Sequence, residues 1–334
     1  MSLNLEFFNR PTNITAKVVC DSVSEQGVRL TTFEIEYPRF IHGELMTHRV
    51  LSKNSSSSRA IPIQKMLDQI ENNMATPVYW GKNKSGMQAD EEVTGLEKDM
   101  SQLEWKNAYY KTKESVEWMV DTPNLHKQVP NRLTEPFQMM KVVITGTDWD
   151  NFFNLRIHPD AQPEICMLAY KMYKAMENSK PQLLKVEDWH LPYVKRLYDG
   201  YAEWLATDDA AEQELTLEEA IKYSAASCAS VSYRTEGMTL EKADKIFDML
   251  IKAEVIHASP FEHLATPVKP KFNELGLVRV NCSEPQSWED GITHMNKQGQ
   301  LCSGNLRGFI SYRHLLPSNT CWEFNFNERM NLFK

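Results

Sequence analysis

The sequence predicts an α+β fold, with a mainly antiparallel sheet flanked by helices, and three observations predict it. Two β-rich stretches, residues 14–23 and 29–37, flank Glu25-Gln26-Gly27, a turn in which glycine supplies the positive φ of a tight hairpin. Residues 137–144 form another strand candidate. Apolar residues recur at helical spacing through Leu96, Met100, Leu103 and Tyr110, and again through Ile165, Leu168, Ala169, Met172 and Tyr173, which predicts helices over 96–121 and 163–176.

The remaining elements follow in order. After Pro38, the pairs Ile41/Leu45 and Met46/Val50 predict a helix over 39–53 that groups Glu44, Thr47 and His48 on one face, with Gly43 weakening it. The serine run 54–59 is a loop, residues 80–95 are a polar excursion, and Asp148 or Asp150 is placed to cap a helix through Asn154-Leu155-Arg156. Residues 181–189 read as a linker. Helices are expected over 215–226 and 240–253, the second capped by Thr239, with short strands at 228–233 and 277–282 and a mixed segment at 305–316. Three parts are expected: 1–180, a linker or helical excursion at 181–214, and 215–334 completing the domain that 1–180 begins.

The 334 residues exceed the roughly 250–300 at which single cores stop growing, so one elaborated domain or two closely packed ones are allowed. With 42% hydrophobic and 25% charged residues the chain is globular in composition. A net charge of −8 argues against a broad basic face for nucleic acid but leaves room for a small anion gripped by a few arginines. Residues 1–13 lack a basic region and an apolar run, and no window approaches the about 20 apolar residues of a membrane span, so a soluble, cytoplasmic protein with no membrane partner is expected. Six scattered cysteines without a CxxC pair read as reduced structural thiols. His257 and His263 lack a third ligand at a metal-binding spacing, so no metal is expected.

Three places carry chemistry. The segment from Glu44 through His48, Arg49, Ser52, Asn54, Ser57 and Ser58 to Arg59 concentrates an imidazole, two guanidiniums and several hydroxyls, a set that suits phosphate and heterocycle recognition and equally fits a solvated serine-rich loop. Asn151 to Glu164 places Arg156 ahead of a helix N-terminus, where it can meet a ligand; it also reads as a capped turn in which Arg156 pairs with Glu164. His257-Ala258-Ser259-Pro260-Phe261-Glu262-His263 is too polar for core and too dense in functional groups for a plain linker. Arg132 alone reads as a surface arginine.

Together these segments resemble the flavin-dependent thymidylate synthases. The family signature, Arg-His-Arg followed by spaced Ser, Asn-Glu, Ser and Arg-Tyr, is echoed by Thr47-His48-Arg49, Ser52, Asn54-Ser55, Ser57 and Arg59-Ala60. Asn154-Leu155-Arg156 and Ala161-Gln162-Pro163-Glu164 resemble its substrate arginine and following helix, Ser230-Val231-Ser232-Tyr233 its Arg-Val-Ser-Phe strand, and 257–263 its His-x-Ser/Thr-Pro-Phe-Glu-His block. The last two blocks precede the signature in the family and follow it here, which implies a circular permutation.

The resemblance implies a thymidylate synthase-like fold and methylation of dUMP to dTMP. FAD would be the cofactor, NADPH and methylenetetrahydrofolate the co-substrates, and a homotetramer would build sites between subunits. It assigns His48, Arg49, Asn54, Asn151, His257 and Ser259 to flavin and Glu44, Ser57, Ser58, Arg59, Arg132 and Arg156 to the nucleotide, with Ser57 and Arg156 catalytic.

This chain departs from the signature at Thr47, Ser55 and Ala60, carries Asp160 where a histidine is common, and has Glu44 where a glutamine usually helps hold the nucleotide. A carboxylate about 4 Å from a phosphate charge costs about 4 kcal/mol at an effective dielectric near 20, so Glu44 either pairs with an arginine, for which Arg59 is one candidate, or the ligand sits differently. The alternatives are methylation or hydroxymethylation of another nucleotide such as dCMP, or a catalytically silent flavin- or nucleotide-binding protein. Arg307 and Arg313 in the tail weakly echo a family arginine helix and are candidates to return a guanidinium to the site.

Overall fold

A computed structural model describes residues 5–89, 91–198, 202–206, 214–231, 237–270, 287–317 and 319–333. Its elements run α1 (Leu5–Phe8), β1 (Thr15–Ser24), β2 (Arg29–Pro38), α2 (His42–Met46), β3 (Ser52–Ser55), α3 (Ile63–Asn72), α4 (Gly95–Asp121), α5 (Pro130–Leu133), β4 (Met139–Gly146), α6 (Asp150–Arg156), α7 (Pro163–Glu177) and β5 (Gln182–Leu184). There follow β6 (Val194–Tyr198), β7 (Ala202–Ala206), β8 (Glu214–Leu215), α8 (Leu217–Ala229), α9 (Leu240–Ile251), β9 (Ala265–Pro267), β10 (His294–Met295), β11 (Leu301–Ser303), β12 (Leu306–Arg307), β13 (Phe309–Ser311) and α10 (Phe326–Asn331). The architecture is α+β, with antiparallel sheets flanked by helices.

The main sheet has the order β3-β4-β2-β1-β5, antiparallel except where β5 joins β1. Gly27, at φ +78°, makes the predicted β1–β2 turn. Side chains alternate across the sheet, so register decides what each face carries. Phe33 opposes Ile144 and Ile35 opposes Val142, all fully buried in one cluster with Ile165, Leu168, Ala169 and Met172 of α7. Each such side chain contributes roughly 1.5–3 kcal/mol of burial. The other face carries Thr32 opposite Thr145 and Val143, and packs against α8, α9 and the Phe261 turn. Helices therefore cover both faces of the sheet.

Several expectations are corrected. The helix expected over 39–53 is a 3-10 turn at Arg39–Ile41 and the short α2, because from Ser52 onward the chain pairs with β4 and becomes β3, taking Asn54 and Ser55 out of the expected loop. Neither Asp148 nor Asp150 caps α6: its N-cap is Trp149, and Asp148 instead accepts hydrogen bonds from Thr147 and Arg307. The 181–189 linker contains β5, and the described part of the expected helical excursion forms the antiparallel sheet β6-β7-β8. Cys228 and Ala229 end α8 instead of starting a strand, while Ser232, Tyr233 and the 277–282 strand lie outside the described residues. Thr239 caps α9 as expected, accepting from the Lys242 amide at 3.3 Å.

The block judged too polar for core is partly core: Phe261 and His263 are fully buried. His263 Nδ1 lies 2.7 Å from Thr145 Oγ1, which lies 2.7 Å from Thr32 Oγ1; Thr32 Oγ1 is 2.8 Å from His190 Nε2, and His190 Nδ1 is 2.8 Å from Ser22 Oγ. This buried chain crosses β4, β2 and β1 and pairs the hydroxyls and ring nitrogens it joins, while His263 Nε2 is buried with no partner among the described residues. Burial pushes His190 down to about 3 and His263 to about 4, so both rings are neutral in the folded protein.

Unfolding exposes both rings to their ordinary pKa near 6.5, so the unfolded chain binds more protons below that pH and stability is lost as pH falls toward 4. Thermal melts between pH 7 and pH 5 should show a falling melting temperature, each histidine accounting for roughly 2 kcal/mol at pH 5. His263→Gln, which keeps a hydrogen-bonding side chain but does not titrate, should remove the His263 share of that dependence and leave that of His190.

Candidate active site

The sequence folds α2 and the turn after it so that acceptors from three residues face one guanidinium. Arg156, the last residue of α6, donates from Nε to His48 Nε2 at 2.8 Å, from Nη1 to Glu44 Oε2 at 3.2 Å, and from Nη2 to Thr47 Oγ1 at 3.2 Å and the Glu44 carbonyl at 3.5 Å. Because Arg156 has only donors, His48 Nε2 must be a lone pair and its proton sits on Nδ1. Burial, with Arg156 and Lys53 nearby, holds His48 down at about 4. The His48 ring also packs edge-on against Phe152 of α6, 4.9 Å between centroids, which fixes its orientation.

Glu44 thus has its arginine partner, but it is Arg156, not Arg59. Glu164, expected in one reading to pair with Arg156, is buried instead. It accepts from the Val78 amide at 2.8 Å and from Gln162 Nε2 at 3.2 Å, and burial raises its pKa. Beside the clasp lies a cavity of about 700 Å³, lined by Phe40, Tyr79 and Trp105 with Glu44, Arg156, Asp160, Gln162 and Glu164.

A second group meets at β3. Ser259 Oγ donates to Asn54 Oδ1 at 3.4 Å, and Asn54 Nδ2 donates to the Cys228 carbonyl at 2.6 Å, which brings the 257–263 block onto the signature strand. Lys53 donates to the carbonyls of His48 and Leu51, and burial lowers its pKa to about 8. The tail docks here too: Asn305 Nδ2 donates to Ser52 Oγ at 3.3 Å, Arg313 pairs with Glu262, and Arg307 pairs with Asp148 at 3.0 Å. Both tail arginines are therefore spent on local carboxylates.

The loop after β3 is anchored by residues that sequence spacing did not signal. Asn131 Nδ2, buried at the start of α5, donates to the Ser58 and Ile61 carbonyls at 2.8 and 2.9 Å, and Lys127 donates to the Ala60 carbonyl. Ser58 is thereby tied to Asn131, the residue before Arg132 in α5. Ser57 is half-buried in the same loop. Arg49, Arg59 and Arg132 are exposed and make no side-chain hydrogen bond or ion pair among the described residues; Asn151 and His257 are also exposed. The protomer thus joins His48 to Arg156 and Glu44, and Asn54 to Ser259, while Arg49, Asn151 and His257 join neither group through their side chains.

Residues 21–182, just under half of the chain, match the family model Thy1, described as thymidylate synthase complementing protein. Over this segment the chain is similar to the Thy1 family. The Thy1 segment contains His48, Arg59 and Arg156, and stops short of the 257–263 block. No curated protein matches the chain. Among solved structures, it is similar to the UMP/dUMP methylase PolB from Streptomyces cacaoi bound with 5-Br UMP (20% identity, TM-score 0.41, 49% of this chain and 89% of that one). PolB bound with 5-Br dUMP gives 18% identity and a TM-score of 0.38 over 49% of this chain and 90% of that one. Flavin-dependent thymidylate synthase ThyX from Helicobacter pylori, complexed with FAD and dUMP, gives 17% and 0.29 over 44% and 67%.

The clasp has a spectroscopic consequence. With Nε2 occupied by Arg156 and the ring held neutral, ¹⁵N NMR should find His48 as the Nδ1–H tautomer with no titration above pH 5. Arg156→Ala removes the donor and one of the charges holding the pKa down, so His48 should then titrate closer to 6.5.

Proposed function

We propose that this chain is a flavin-dependent enzyme that transfers a one-carbon unit from methylenetetrahydrofolate to C5 of a pyrimidine nucleotide, with dUMP the acceptor that its family resemblance implies. The observation that carries this reading is the Arg156 clasp: within the Thy1 segment, a guanidinium is fixed at the wall of an aromatic-lined cavity large enough for a nucleotide base.

The residues present fit FAD. Asn54 and Ser259 offer an amide and a hydroxyl within 3.4 Å of each other, and Arg49 supplies an unpaired guanidinium of the kind that grips a pyrophosphate. Bound there and recharged by NADPH, FAD would supply the reducing equivalents for the transferred methylene. This chain's own part is to bind and orient. Arg156 faces the base, His48 keeps Arg156 in place without itself taking a proton at neutral pH, and Ser57, Ser58, Arg59 and Arg132 form an anion-binding edge for the phosphate. His257 and Asn151 extend the flavin contacts.

We place the site between copies of the chain, as in a homotetramer. His48 precedes β3 and Arg59 follows it, with roughly 10 Å of strand between them, which suits Arg156 from one copy and Arg59 with Arg132 from another meeting on one nucleotide. No helix among the described residues is long and apolar enough to cross a membrane, and we assign the enzyme to the cytoplasm.

Purified protein incubated with FAD, NADPH, methylenetetrahydrofolate and dUMP, UMP or dCMP should yield a nucleotide heavier by one CH2 unit by mass spectrometry, a methyl in place of the C5 hydrogen. Arg156→Lys, which loses the forked donors, should lower kcat/KM roughly a hundredfold. Protein that binds no flavin and modifies no nucleotide would end this reading. The base is the one part of this reading that Glu44 alters: against the dUMP that the family resemblance implies, its carboxylate favours a cytosine nucleotide.

A further inference from the structure

The charged side chains of the cavity beside the Arg156 clasp are mostly carboxylates, while the amides of Gln88 and Gln162 in its lining already donate, to the Asp160 carbonyl and to Glu164. Its charged lining consists of Glu44, Asp160 and Glu164 against the single guanidinium of Arg156. That guanidinium already serves His48, Glu44 and Thr47. Glu164 has one oxygen on the Val78 amide and the other on Gln162, whereas Glu44 has one oxygen on Arg156 and no partner for Oε1 among the described residues. Asp160 is exposed, its carboxylate 3.7 Å from His158 Nδ1 and its carbonyl accepting from Gln88 Nε2 at 3.2 Å.

Pyrimidines differ in what they require of such a lining. At position 4 a uracil-type ring presents a carbonyl acceptor where cytosine presents an amine with two N–H donors. An amide side chain can serve either ring, since it donates and accepts; an ionised carboxylate only accepts. Facing Glu44 Oε1, the uracil O4 is left without a donor beside a negative charge, while the cytosine amine is satisfied. The walls of Phe40, Tyr79 and Trp105 stack either base and do not discriminate.

We infer that this cavity selects a cytosine nucleotide over a uracil nucleotide, and that Glu44, with Asp160 in the same lining, sets the preference. The inference rests on the reading of the chain as a pyrimidine-nucleotide enzyme and names the base that the enzyme takes. The phosphate belongs away from this acidic wall, toward the exposed Arg59 and Arg132.

Isothermal titration of the flavin-loaded protein with dCMP and with dUMP tests it directly. The wild-type chain should bind dCMP at least about tenfold more tightly than dUMP, and Glu44→Gln should bring the ratio to unity or reverse it. Asp160→Asn, an exposed position that leaves the clasp intact, should move the ratio the same way by a smaller factor. That second variant keeps the test open if Glu44→Gln unsettles Arg156. Equal binding, tighter dUMP binding, no binding of either, or ratios unmoved in both variants would overturn the selectivity. Flavin content and turnover, measured on the same samples, separate this from the parent reading. Efficient methylation of dUMP but not dCMP defeats the base preference alone, whereas a flavin-free protein inert toward every nucleotide defeats the enzyme assignment.

Discussion

A guanidinium largely withdrawn from water must find an acceptor for each N–H it cannot hydrate, and the site is organised by how Arg156 meets that requirement. Its side chain is 19% exposed, and its partners all come from Glu44, Thr47 and His48, the end of α2 and the turn beyond it. For those residues to reach the end of α6, β3 must pair with β4, since α6 follows β4 in the chain and α2 precedes β3. The sheet register and the clasp therefore require each other. The Thr47 departure gains a physical meaning here: a hydroxyl oxygen accepts from Arg156, and an arginine at that position would have placed a second positive charge against the first.

The second tie runs through the opposite half of the chain. His263, at the end of the 257–263 block, and His190, just past β5, reach Thr145 and Thr32 on the same sheet face. The block's role is consequently divided between two surfaces. Ser259 points to Asn54 at the exposed edge, while Phe261 and His263 are packed into the core, which explains how a stretch so rich in functional groups can also be structural.

Much of this was legible in the sequence where pattern and chemistry agreed. The β1–β2 hairpin, β4, α4, α7 and the Thr239 cap of α9 carried strong periodicity or turn signals and stand within one or two residues of expectation. The failures share one cause, tertiary pairing overriding local preference. Residues 52–55 looked like a helix end running into a serine loop until β4 supplied a partner, and 182–184 looked like linker until β1 did. In the site, the cluster of Glu44, His48 and Arg156 was visible as separate segments, but which arginine Glu44 would meet was not, because that depends on where α6 ends. Asn131 and Lys127 carried no signal at all: an asparagine and a lysine that serve backbone carbonyls in a distant loop look like any others in sequence.

The edge strand β5 lies beside β1 although some 160 residues separate Gln182 from Ser22, and His263 reaches Thr145 across 118 positions. A growing polypeptide therefore cannot finish its central sheet while only the first half has been made. Until residues near 184 emerge from the ribosome, one side of β1 remains open, the hydroxyl of Thr32 waits for His190, and that of Thr145 waits longer still, for His263. At synthesis speeds of about 5–20 residues per second, such an incomplete sheet persists for several seconds, and its bare border is where nascent copies of this protein are most exposed to pairing with each other.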